Sequence, residues 1–119
     1  MALSVSNQSA PVGAKLLVDT QAVAQSNVTA AVGKIWTLDL DNSANGAATW
    51  IKLADALAAV PGTTVPDLQI KLKAGQRRQV VFPEGWDFDT GLSYWCVTAR
   101  EVAATTAPAQ PVVVRAVLS

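Results

Sequence analysis

The residues able to do chemistry gather in one stretch, "FPEGWDFDTGLSYWCVT" (residues 82–98). It holds the acidic side chains Glu84, Asp87 and Asp89, two of the four tryptophans, and the single cysteine, Cys96. Three carboxylates within six positions suggest a calcium loop or an acid–base pair. A calcium loop of the helix–loop–helix type needs oxygen ligands at a fixed series of positions, a glycine at the sixth and a closing glutamate, and "PEGWDFDTG" lacks that series. Pro83, Gly85 and Gly91 instead read it as a connection between two strands, where aspartates cap turns. No metal site, cofactor or catalytic group is expected here.

Histidine is absent from the chain, which removes the commonest general base and transition-metal ligand. One cysteine allows neither an internal disulfide nor a thiolate zinc site. Cys96 lies among apolar neighbours with no imidazole to activate it, so a buried, inert thiol is expected. No glycine-rich phosphate loop or nucleophile elbow occurs.

Lys71, Lys73, Arg77 and Arg78 form a basic cluster around "AGQ" (residues 74–76). It suits either a solvated face that discourages edge pairing or an acidic protein partner. Nine basic residues balance nine acidic ones, so the basic excess of a nucleic-acid binder is missing. Trp36 runs in phase with Leu38 and Leu40 and is expected in the core. Trp50, which shares a face with Lys52, and Trp86 and Phe88, in the acidic connection, are candidate interface residues together with the basic cluster.

The elements that must position these residues have period two. "KIWTLDLDN" and "DLQIKLK" alternate apolar and polar residues. Leu68, Ile70 and Leu72 point inwards, and Arg78, Val80 and Phe82 are expected to return beside them as a hairpin turned at Gly75. "ATWIKL" reads as a strand followed by a loop to Pro66. "LSYWCV" carries bulk on both faces, so it lies between two layers or buries its outer side against another chain. "VVVRAVL" is a closing strand, and "AKLLVDT" and "QAVAQSNVTA" are weaker ones. Seven or eight short strands without a long helix predict a single all-β domain, a β-sandwich or jelly roll, over residues 14–119. Residues 1–13 read as an N-terminal arm.

No apolar run has membrane-spanning length, and the N-terminus does not read as a signal peptide. A cytosolic site of synthesis is therefore expected, and the sequons at Asn7 and Asn27 are expected to be accidental. Near-zero net charge suits a protein that assembles.

Residues 42–118 resemble small virion proteins of tailed bacteriophages. The shared features are an Asn/Ala-rich turn before a "K-L" strand, "G-T-T-x-P", and a strand–"A-G"–strand unit. "F-x-x-G-x-x-F-x-T-G-L" and a "T-T-A-x-A" loop before a Val-rich last strand complete the set. The resemblance implies a non-enzymatic β-sandwich component of the virion that decorates or cements the head. Its implied partners are the major capsid protein or other virion proteins and copies of itself, with a trimer the implied state. It also leaves open a tail, baseplate or fibre component. Such a component could bind carbohydrate by tryptophan stacking, with calcium at Asp87 and Asp89.

Overall fold

A computed structural model describes residues 15–22, 27–29 and 33–119. The arm expected at residues 1–13 and the sequon at Asn7 lie outside them. Eight strands are described: β1 (Lys15–Ala22), β2 (Asn27–Thr29), β3 (Gly33–Asp41), β4 (Thr49–Asp55), β5 (Leu68–Leu72), β6 (Arg77–Phe88), β7 (Leu92–Val97) and β8 (Val112–Leu118). They form two antiparallel sheets. Sheet A has the order β1-β8-β3-β6 and sheet B the order β2-β7-β4-β5.

The pairing is nested. β4 pairs with β5, β3 with β6, β2 with β7 and β1 with β8, as in one hairpin four strands deep. That hairpin is rolled so that β3 also meets β8 and β4 meets β7. This is jelly-roll topology, and the all-β sandwich expected from the alternation is the fold.

Alternation places the core. Ile51, Leu53, Ile70, Leu72, Leu92, Tyr94 and Cys96 of sheet B meet Ile35, Leu38, Leu40, Val112, Val114, Ala116 and Leu118 of sheet A. Each larger aliphatic side chain stabilises the fold by about 1.5–3 kcal/mol through removal from water.

Two expectations about the strands need correcting. The turn at residues 73–76 does not close a hairpin, because β5 pairs with β4 and β6 pairs with β3. It carries the chain from one sheet to the other. Gly75 adopts φ 70° there, its amide donates to the Asn45 carbonyl, and the Lys73 carbonyl accepts from Asn42 Nδ2. The turn is thus fastened to the β3–β4 connection instead of continuing a ladder. The inward phase of Ile70 and Leu72 nevertheless holds.

Trp36 is not a core residue. A bulge between Ile35 and Thr37 shifts the register against both β6 and β8. Ile35 takes the inward position, and the half-buried Trp36 turns to the outer face of sheet A, where its Nε1 donates to Ser119 Oγ. An extra residue on one strand inverts the phase of everything before it.

β7 is buried on both faces by its own chain. Outside the sandwich, Trp95 and Val97 pack with Ala54 and Ala59, joined by Trp50, Ala56 and Ala104. The connections after β4 and β7 therefore roof sheet B. Ser93 Oγ donates to the Ala56 carbonyl, and Lys52 Nζ donates to the Glu101 carbonyl. Lys52, which shares the outer face of β4 with Trp50, is fully buried under this roof.

At the end of the sandwich where β3 leaves sheet A, two buried asparagines tie three connections together. Asn42 Nδ2 donates to the carbonyls of Ala47 and Lys73. Asn45 Nδ2 donates to Asn42 Oδ1 and to the Gln110 carbonyl, and Asn45 Oδ1 accepts from the Gln110 amide. Buried amides satisfied in this way hold loops that carry little apolar surface of their own.

Candidate docking face

The residues expected to form an interface do not come together. Phe88 is 1% exposed and belongs to the core, so it is no interface residue; the inward phase of the last residue of β6 puts it there. Trp86 is half-buried and packs against the same core, opposite Ile35. Trp50 lies on the outer side of sheet B opposite Lys71, whose Nζ sits 5.7 Å from the indole centroid. This cross-strand cation–π pair occupies one face of the ring.

The basic cluster divides between the sheets. Lys71 ends on sheet B, Lys73 is exposed on the crossing turn, and Arg77 and Arg78 begin β6 of sheet A. Arg78 Nη1 reaches back to the Lys71 carbonyl (3.3 Å), closing the side of the sandwich. Arg77 faces outward on sheet A.

The acidic connection is structural. Asp87 forms an ion pair with Lys34 at 2.7 Å. Glu84 stands on the four-residue excursion 82–85, where Gly85 at φ 77° leaves no room for a Cβ against the Lys34 stem. Asp89 contributes its amide, not its carboxylate. With the amides of Thr90 and Gly91 it donates to the side chain of Asp55, which caps the β6–β7 turn. These bonds, the Asp89 amide foremost, hold the Asp55 carboxyl below its ordinary value. Among the described residues no three His, Cys, Asp or Glu side chains converge as for a metal ion. Cys96 is buried, and desolvation, with the Asp19 charge adding to it, pushes its thiol up to about 12.

The outer side of sheet A differs from that of sheet B: among the described residues nothing roofs it. Its side chains form rows across the four strands, read from the ladder register. One row is Leu16, Val117, Thr37 and Val81. The next is Val18, Arg115, Asp39 and Gln79, and the third contains Val113, Asp41 and Arg77. Leu16, Val18 and Val81 of this face are 41%, 50% and 58% exposed, and Leu57, Val60 and Val65 of the β4–β5 connection are 52%, 55% and 70% exposed. Trp36 stands beyond the first row, with Lys34 Nζ 6.0 Å from its ring centroid.

Charge lies in the middle of this face and apolar groups at its flanks. Arg77 grips Asp39 through Nε (3.2 Å) and Nη2 (2.8 Å), the planar two-point geometry that guanidinium favours. That hydrogen bonding raises the guanidinium above its usual range. Asp41 is held below the usual carboxylate range, first by its hydrogen bonds from Ser43 and then by the charges of Arg77 and Arg115. A shallow depression of about 350 Å³ runs between Leu16, Thr37, Asp39, Arg77, Arg115, Ala116 and Val117. A second, of about 290 Å³, lies beside the asparagine cluster between Gly46–Thr49, Thr98, Pro108 and Ala109.

Arg77 is the one residue of this face that the sequence reading singled out. A signal for the rest existed. "KLLVDT" and "VVVRAV" place branched apolar residues on both sides of their strands, as "LSYWCV" does, yet only β7 has a roof.

No family model, curated protein or solved structure matches this chain.

Proposed function

We propose that this chain is a non-enzymatic structural protein of a tailed-phage virion, a decoration protein that binds the major capsid protein lattice and copies of itself, with the outer face of sheet A as a docking surface. The observation that carries the reading is the difference between the two sheets. Among the described residues, loops roof sheet B and none covers sheet A, with exposed Leu16, Val18 and Val81 around an Arg–Asp pair and a half-buried tryptophan. Tryptophan and arginine are residue types enriched at protein–protein contacts, here with the charged pair at the centre and the apolar groups at the flanks. The resemblance over residues 42–118 supplies the virion context, and jelly rolls recur in viral particles and in lectins alike.

Docking repeated over a lattice gives strength through many weak contacts. A fibre module stacking sugars on tryptophan draws less support, because Lys71 lies over Trp50 and Trp86 packs on the core.

Imaging of particles labelled with an antibody to the chain tests the reading. Label distributed over the head is expected. Label confined to the tail moves the protein to the tail or baseplate, and absence of the chain from purified particles overturns the proposal.

A further inference from the structure

The outer face of sheet A is complementary to itself. Across the sheet the strands run β1-β8-β3-β6, and a twofold axis parallel to them, midway between β8 and β3, lays β8 over β3 of a second copy and β1 over its β6. The register then sets Arg115 against Asp39 of the second copy, Leu16 against its Val81 and Val117 against its Thr37. Every one of these meetings occurs twice, as a twofold contact requires.

The same register sets Val18 against Gln79 and Asp41 against Val113, so the attraction rests on the other three meetings. Among the described residues Arg115 has no ion-pair partner, whereas Asp39 is held by Arg77 from one side only. A carboxylate accepts at both oxygens, so Asp39 can take a guanidinium from a second copy while keeping its own. Leu16 and Val81, both largely exposed, cover one another at the flanks and keep water from the central pairs. The Arg115 row is the middle one of the three, so the tilt of about 30° usual between packed sheets leaves its pairing in place.

We infer that this face binds a second copy of the chain in a twofold, sheet-on-sheet dimer, with Arg115 and Asp39 as the reciprocal ion pair. The inference rests on the reading of the face as a docking surface and names its occupant. It puts a twofold contact where the resemblance implies a trimer. Four strands about 4.8 Å apart and a length of about 23 Å give a footprint of about 400 Å² per copy. Both copies together bury about 800 Å², less than stable specific contacts do, so the dimer is a weak and transient one.

A charge swap tests it. Arg115→Glu and Asp39→Arg each place like charges opposite one another twice, and each should raise the dimer dissociation constant in sedimentation equilibrium at least about tenfold. An equimolar mixture of the two variants restores both attractions and should regain the dimer. Val81→Arg, at an exposed edge position where folding is undisturbed, should weaken the dimer without any change at the central pair. A chain that stays monomeric at about 1 mM, a trimer mass, or a mixture that does not re-associate overturns the inference. Incorporation into particles separates it from the wider reading. A monomer whose incorporation is lost with Arg115→Glu places the lattice on this face and removes the dimer. A charge-swappable dimer missing from particles keeps the dimer and removes the virion role.

Discussion

Asn45 and Gln110 exchange two hydrogen bonds: the Gln110 amide donates to Asn45 Oδ1 at 2.7 Å, and Asn45 Nδ2 donates to the Gln110 carbonyl at 2.9 Å. A side-chain amide here does the work of a backbone rung and anchors the long connection that roofs sheet B. Asn45→Ala strands the partners it leaves and should cost about 3 kcal/mol in denaturant unfolding. Asn45→Asp, nearly the same shape, should cost at least as much. It replaces a donor with an oxygen facing two acceptors, Asn42 Oδ1 and the Gln110 carbonyl.

Asp55 predicts the acid limb of stability. Its folded value lies below the ordinary 3.8 because the amides of Asp89, Thr90 and Gly91 point at the carboxylate. A lowered folded pKa contributes stability that is complete above the unfolded value and disappears as pH falls through the folded one. Asp55→Asn should therefore lower the melting temperature at pH 7 and flatten its fall below about pH 4. Asp41, lowered in the same direction by Ser43, leaves a residual slope. An unchanged acid limb in the variant would refute the role of the cap.

Lys52 predicts the alkaline side. Burial lowers its pKa from 10.5, with the Glu101 charge opposing the shift. Between the folded value and 10.5 the unfolded chain binds more protons, so this residue's contribution to stability rises with pH in that window. Lys52→Met keeps the packed stem and removes the buried charge. It should match or exceed the wild type at pH 7, with the difference shrinking as pH rises. Lys52→Ala should cost about 2–4 kcal/mol through the cavity alone.

The bulge predicts an inequality between two tryptophans. Trp95 is fully buried beneath the roof, and Trp95→Ala should cost about 3–5 kcal/mol. Trp36, turned outward by the extra residue, should cost less than half as much in the same substitution, measured by chemical denaturation. If the two losses are equal, Trp36 is packed as the uninterrupted alternation with Leu38 and Leu40 implies.

Much of this architecture is written locally. Leu68, Ile70 and Leu72 declare a strand and its inward face, "LSYWCV" declares a strand covered on both sides, and Gly75 marks a reversal. What local pattern does not carry is the partner. The same turn chemistry serves a hairpin or a crossing between sheets, and the choice here depends on Asn42 and Asn45, some thirty residues earlier. Local pattern does not show the burial of Lys52 because its cover comes from residues near Glu101. The outer face of sheet A is the least legible part. Leu16, Val81 and Arg115 become neighbours only through the register of four strands drawn from opposite ends of the chain.

Nested pairing also decides how the domain responds to force. Lys15 lies opposite Leu118, so β1 begins where β8 ends, at one end of an antiparallel pair. A pull through the two ends loads the rungs between β1 and β8 one after another, as a zipper is opened, and never sets the whole ladder in shear. Held in this way the chain peels from the outside of the roll inwards, with β4 and β5 the last to part.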